Sequence, residues 1–256
     1  MHLSPRSLIN RIIFGTVLLS LGATSGVHGA VGNDPVWISL FNARDLDGWE
    51  IKCVPEDRGK NYWRVESGFL VCDSIGDKDH KSVWLQHLAE RDDFELKLKF
   101  RASREVPGNS GVQVRSRWSA NPETPEGFRM EGPQIDLHPP APWRTGLIYD
   151  ETWEARRWIS PSLTGSKIEP EQGPQKWIFN YAGDPNPWND LVIRCEGTRI
   201  KTTLNGVVVS DFDGAGLLND TAHQKRGVGM KGHIALQLHV KDELRMEFRD
   251  IFVREL

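Results

Sequence analysis

The sequence predicts an all-β fold, a sandwich or barrel formed by one domain. It holds about a dozen short runs of alternating or β-branched apolar residues, separated by turn signals rich in Gly, Asn and Asp. No amphipathic stretch reaches three helical turns, and neither heptads nor an internal repeat is present. The closing run, residues 245–254, sets Met246 and Phe248 against Arg245, Glu247 and Arg249. A strand that joins its sheet so late in the chain needs non-local pairing, as in jelly rolls.

The first 30 residues stand apart. Arg6 and Arg11 precede an apolar run over residues 12–23, and Gly26, Gly29 and Ala30 follow, which is the layout of a secretory signal peptide. The run is short for a membrane span, and no second apolar stretch of spanning length follows. The expectation is an exported protein, periplasmic or extracellular, with no membrane span after cleavage and one folded domain over residues 34–256. A net charge of −3 with no basic stripe argues against nucleic acid as a partner. Nothing in the chain identifies a protein partner.

Taken in order, residues 36–49 are an apolar stretch ending in an Asp47-Gly48 turn. Residues 62–72 read as a hairpin turning at Glu66-Ser67-Gly68, and residues 82–85 as a short strand. Phe94-Glu-Leu-Lys-Leu-Lys-Phe100 is a half-buried strand of strict period two. After a turn at residues 108–111, residues 112–116 form a strand on which Gln113, Arg115 and Arg117 share a face. Residues 118–129 read as a loop and 146–149 as a short strand. Residues 151–187 form a long loop of the kind that is usually functional. A meander over residues 191–211 turns at Glu196-Gly197 and Asn205-Gly206, and residues 213–229 are a glycine-containing loop. Residues 233–239 and 245–254 complete the strands. Cys53 and Cys72, on neighbouring predicted strands, are candidates for a disulfide, while Cys195 reads as a core residue.

Residues 130–138, Met-Glu-Gly-Pro-Gln-Ile-Asp-Leu-His, concentrate the chemistry. As a strand they place Gln134, Asp136 and His138 on one face and Ile135 and Leu137 on the other. A polar row on a central strand is costly to bury unless it faces water or a site. Gln113 with Arg115, and Gln237 with His239, extend such a row onto two further strands.

These stretches resemble the secreted bacterial 3-keto-disaccharide hydrolase domain. The resemblance runs through Trp37-Ile-Ser-Leu-Phe, Asn109-Ser-Gly-Val-Gln-Val-Arg115, Gly132-Pro-Gln-Ile-Asp136, Gly146-Leu-Ile-Tyr149, Leu204-Asn-Gly206, Leu236-Gln-Leu-His239 and Phe248-Arg-Asp-Ile251, in the family's order. It implies a concanavalin-A-like jelly roll of two antiparallel sheets, with a carbohydrate site on the concave sheet. The implied activity is cleavage of 3-keto-disaccharides or 3-keto-glycosides: the ketone acidifies the proton on the second carbon, the glycosidic oxygen leaves by β-elimination, and water then adds. That chemistry needs a base, an acid and a group to stabilise the enolate.

On this reading His239 is the proton-transfer residue, Asp136 a metal ligand or acid/base partner, and Glu151 a second carboxylate. Arg115, Gln113, Gln134, Gln237 and Tyr149 bind substrate oxygens, and Trp153, Trp158, Trp177 and Trp188 are candidates for stacking on sugar rings. A divalent metal cation held by Asp136 and Glu151 is a candidate cofactor. His138, before Pro139-Pro140, reads as a loop residue. The commoner form of the family has a glutamate where this chain has Gly132, and Glu131 is out of phase with the polar face. A non-catalytic carbohydrate-binding module of the same fold is the alternative function. A two-carboxylate glycanase is a third, against which the stretch lacks the second carboxylate.

Overall fold

In the computed structural model, which describes residues 36–120, 127–173 and 178–256, the period-two runs become strands. The chain begins with β1 (Ile38–Ser39), β2 (Trp49–Lys52), β3 (Trp63–Glu66), β4 (Phe69–Asp73), β5 (Val83–His87) and β6 (Phe94–Pro107). It continues with β7 (Ser110–Ala120), β8 (Phe128–Glu131), β9 (Pro133–Leu137), β10 (Ile148–Asp150) and β11 (Arg157–Ser160). The last part holds β12 (Asn189–Glu196), β13 (Arg199–Leu204), β14 (Val207–Asp213), a helix α1 (Thr221–Arg226), β15 (His233–Leu238) and β16 (Leu244–Glu255).

These strands form two antiparallel sheets of eight. The first runs β14-β13-β12-β6-β16-β4-β3 with β1 on β16; the second runs β11-β10-β9-β7-β15-β5-β2 with β8 on β7. The late strand β16 lies between β6 and β4, with Phe248 opposite Phe100, so the expected non-local pairing is present. One core takes side chains from both sheets, among them Phe94, Leu96 and Phe248 from the first and Leu85, Val112 and Ile135 from the second. The chain is therefore an all-β sandwich of two antiparallel sheets.

The sheets differ in what covers their outer faces. On β6 the apolar residues are buried and Glu95, Lys97 and Lys99 between them are partly exposed, as alternation demands. On β5, β9 and most of β15 and β7 every residue is buried, the polar ones included. The outer face of the second sheet is thus roofed by loops, and polar side chains lie beneath that roof. This is the setting of a site.

Two hairpin turns follow their sequence signals: Ser67 and Gly68, and Asn205 and Gly206, all have positive φ, the geometry that suits the strand twist. Several expectations need correction. The 213–229 loop contains α1, capped by the Asp220 carboxylate, which accepts from the His223 N–H, and ended by Gly227 at φ +65°. Six residues are too few for a periodic signal, and only the caps betray such a helix. The 151–187 loop contains β11, which pairs with β10, and the 118–129 loop is the end of a β7–β8 hairpin. Cys53 and Cys72 do not pair: Cys72 lies in β4 of the first sheet, Cys53 follows β2 of the second, and all three cysteines are free. The leader and Trp177 lie outside the described residues. Among the described residues, no helix is long and apolar enough to cross a membrane.

Candidate active site

Strand register builds the floor of the site. Gln86, Ala235, Gln113, Gln134, Tyr149 and Trp158 are successive cross-strand partners on β5, β15, β7, β9, β10 and β11. Gln113 Nε2 donates to Gln134 Oε1 at 3.0 Å, and Ser116 Oγ donates to Gln113 Oε1 at 2.9 Å, so the buried amides satisfy one another. Gly111 makes room for this, because a Cβ there would sit 2.5 Å from Gln134 Cδ.

Two adjoining lobes lie over this floor. One, of about 160 Å³, is lined by Asp136, Gln134, Arg144, Tyr149, Trp158 and Asn109. The other, of about 180 Å³, is lined by Trp84, Trp118, Phe128, Arg129 and Gln237. Glu151, Arg156 and His239 line both, and so stand where the lobes meet. Three of the expected site residues, Asp136, His239 and Glu151, are therefore brought to one cleft from β9, the end of β15 and the end of β10.

Each of the three has a fixed partner. Arg144 Nε donates to Asp136 Oδ2 at 3.0 Å, with the aspartate side chain 1% exposed. Burial raises the Asp136 pKa to about 6 against the opposing charges of Arg144 and His239, with Glu151 adding to the rise. His239 Nδ1 lies 2.9 Å from Asp242 Oδ2, and the Asn109 N–H donates to the same oxygen at 3.1 Å. Burial works against a charged His239, but the hydrogen bond and charge of Asp242, helped by Glu151 and Asp136, outweigh it and hold its pKa above the ordinary value. With Nδ1 turned to Asp242, Nε2 is the ring nitrogen left for other contacts. Glu151 accepts from Arg129 Nη2 at 2.6 Å, and its own N–H donates to the Gly132 carbonyl at 3.0 Å.

The remaining expected residues divide between the cleft and the body of the fold. Arg115 does not reach the cleft. Its φ is +48°, at a register irregularity between β7 and β15, and this breaks the alternation that put it on the face of Gln113. Its fully buried guanidinium donates to the carbonyls of Asp92, Gly197 and Gly229 and to Asp93 Oδ1 at 2.8 Å, spanning toward the first sheet. Gln113 lies beneath Gln134 and lines neither lobe. His138 belongs to a turn: its Nδ1 accepts from the Ala141 N–H at 2.9 Å, and burial lowers its pKa to about 4. Trp158 is 1% exposed, its Nε1 donating to the Ser166 carbonyl and its ring edge-on to Tyr149 at 5.2 Å. Trp153 lies between Arg129 and Arg156, outside both lobes, and Trp188 packs with Arg249, Arg101 and Phe69 on the first sheet.

Arg144, Arg129, Arg156 and Asp242 were not legible as site residues, and neither was the aromatic wall of Trp84, Trp118 and Phe128. Trp118 stacks on Phe128 with ring planes 7° apart and meets Trp84 at 5.4 Å. The one available signal was that Trp84 shares a strand face with Gln86. Gly132, in the place of the commoner glutamate, has φ +119°, and a Cβ there would lie 3.0 Å from Ser116 Cα and 2.5 Å from its Oγ. Glu131 instead binds Arg226 Nε at 2.8 Å and accepts from the Trp153 N–H, so it braces the wall of the site from behind.

As for a cation, no group of three or more His, Cys, Asp or Glu side chains converges among the described residues. Asp136 and Glu151 are each bound to an arginine, a positive surrounding that does not fit a divalent metal. No step below is routed through one.

A crystal structure of a proposed glycosyl hydrolase from Parabacteroides distasonis superposes with a TM-score of 0.54 at 19% identity, over 86% of this chain and 94% of that one. A second proposed glycosyl hydrolase from the same organism gives 0.50 at 17% identity, over 86% and 84%. At these identities the likeness is one of fold. The comparison with curated proteins finds no match. The model of the 3-keto-alpha-glucoside-1,2-lyase-like domain matches residues 36–254, nearly all of the described fold, and the chain belongs to that family.

Proposed function

We propose that this protein cleaves the glycosidic bond of 3-keto-glycosides by β-elimination followed by hydration, after export directed by residues 1–30. Family membership and the roofed polar cleft support a carbohydrate-directed function. The observation that carries the finer reading is the meeting of two lobes at His239, with Asp136 in one of them. A glycosidic bond lying across the junction has its oxidised ring over Asp136 and its leaving oxygen beside His239.

In this reading the Asp136 carboxylate takes the proton from the second ring carbon. The released electron pair forms the enolate of the ketone, and Arg144, in the same lobe, supplies the positive charge that stabilises it. The enolate collapses to a double bond between the first and second carbons as the bond to the glycosidic oxygen breaks. His239, held protonated by Asp242, gives that oxygen its proton through Nε2. Water then adds across the double bond, its hydroxyl to the first carbon and its proton to the second, so the sum is hydrolysis.

The test is incubation with a 3-keto-disaccharide in deuterated water, followed by nuclear magnetic resonance. Release of the free alcohol with deuterium at the second carbon, lost in Asp136→Asn, is the expected result. Binding without turnover overturns the reading in favour of a carbohydrate-binding module. Cleavage of the unoxidised disaccharide at an equal rate overturns it in favour of ordinary glycosidase chemistry.

A further inference from the structure

The charges that line the cleft do not cancel. Lys81, Arg129, Arg144 and Arg156 stand against the carboxylates of Asp136 and Glu151. Two pairings account for both carboxylates: Arg144 lies 3.0 Å from Asp136, and Arg129 lies 2.6 Å from Glu151. Arg156 stands outside these pairs. Its Nε is 4.0 Å from Glu151 Oε2, the oxygen that Arg129 already holds, and its side chain is 48% exposed. Its place is nonetheless fixed by the fold. Arg156 lines both lobes at their junction, and its φ of +30° is a conformation that a residue with a Cβ adopts only at a cost. The turn that imposes it is anchored on Thr152, fully buried, whose carbonyl accepts from the N–H groups of Ala155 at 2.9 Å and Arg156 at 3.0 Å. Trp153 takes the guanidinium groups of Arg156 and Arg129 at 5.8 and 5.4 Å from its ring centre. Two like charges are thus held beside one carboxylate. Among the described residues, Arg129 Nε is also buried with no hydrogen-bond partner. Positive charge and N–H donors in excess over the local acceptors match an anion with forked oxygens.

We propose that the cleft selects an acidic glycoside, one that carries a carboxylate or a sulfate ester, and that Arg156 is the specificity-determining residue that binds the anionic group. A neutral glycoside leaves Arg156 with only its distant share of Glu151. An anionic substituent at the junction accepts hydrogen bonds from Arg156 and offsets the repulsion between the two guanidinium groups. Glu151 does not turn such a ligand away, because Arg129 neutralises it. The inference rests on the proposed function only in taking the ligand to be a glycoside; it requires neither the ketone nor turnover.

Calorimetry on the whole protein tests it with methyl glucuronide, its neutral methyl ester, methyl glucoside 6-sulfate and plain methyl glucoside, at low and high salt. Wild type should bind at least one anionic ligand about tenfold more tightly than its neutral counterpart, and the better of the two identifies carboxylate or sulfate as the group recognised. The preference should shrink as salt rises. Arg156→Gln should abolish it and leave the affinity for methyl glucoside unchanged, while Arg156→Lys, which keeps the charge but not the fork, should retain part of it. Arg156→Asn, a residue that accepts positive φ, gives the same reading if Arg156→Gln does not fold. Equal binding of anionic and neutral ligands overturns the proposal, as does a preference that survives Arg156→Gln or a failure of both anionic ligands to bind. None of these ligands carries a ketone. A protein that leaves 3-keto-glycosides uncleaved therefore still shows the preference, and one that cleaves neutral 3-keto-glycosides without showing it overturns this inference alone.

Discussion

His223 Nε2 lies 3.1 Å from Asp150 Oδ2, with both side chains fully buried, while His223 Nδ1 meets Asp220 Oδ1 at 2.8 Å. This contact ties α1 to the end of β10, one residue before Glu151 enters the cleft. Arg226, on the same helix, holds Glu131 at 2.8 Å, so contacts to Asp150 and Glu131 together fasten the helix behind the site.

Replacing His223 by Leu strands Asp150 in the interior, and the expected loss of stability is roughly 3–5 kcal/mol. The loss should depend on pH. Burial opposes the charge on His223, but Asp150 and Asp220 outweigh it and raise its pKa above the ordinary 6.5. A raised pKa contributes stability that is complete below the unfolded value and is lost as pH rises through the folded one. Denaturant midpoints of wild type and variant should therefore converge as pH climbs above that range; a gap that widens with pH contradicts the assignment.

For the proposed reaction, kcat/KM should rise with pH through about 6 as Asp136 ionises, and fall again above the raised pKa of His239. Asp242→Asn removes the hydrogen-bonded charge that raises His239, so the alkaline limb should move to lower pH while the acid limb stays. Asp136→Asn should lower kcat/KM by about 10²–10⁴-fold. A pH profile whose alkaline limb is unmoved in Asp242→Asn would remove His239 from the acid role.

Restoring the commoner glutamate by Gly132→Glu should damage the fold and add no function. The φ of +119° disfavours any side chain, at about 1–3 kcal/mol, and the Cβ collides with Ser116. A lowered melting temperature is expected; an undiminished melting temperature with raised activity would show that the site tolerates and uses the carboxylate.

Arg115→Met should destabilise by about 3–5 kcal/mol, because it leaves three backbone carbonyls and Asp93 without their donor. At a temperature where the variant remains folded, its KM should match that of wild type. A selective rise in KM without loss of stability would return Arg115 to the cleft.

The strands were legible because period-two alternation is a local property, and β6 and β16 carry it plainly. The polar face of residues 134–136 was legible for the same reason. Alternation also misled: it placed Arg115 beside Gln113, and only a backbone irregularity set by pairing with β15 turns it away. Trp153 and Trp188 lie away from both lobes, because composition does not reveal which sheet face a ring occupies. Trp84 and Trp118 line the cleft because register and the β7–β8 hairpin bring them together.

By itself the sequence determined the all-β class, most strands, the tight turns, and that Gln134, Asp136, Gln237 and His239 belong to polar strand faces. The tertiary structure alone decided which charges meet: Arg144 on Asp136, Arg129 on Glu151, Asp242 on His239, and His223 between two aspartates. The physical reason is range. Strand alternation is dictated by neighbours two residues apart, whereas burial and ion pairing, which set the proton affinities of Asp136 and His239, depend on loops and strands joined only when the sheet is assembled.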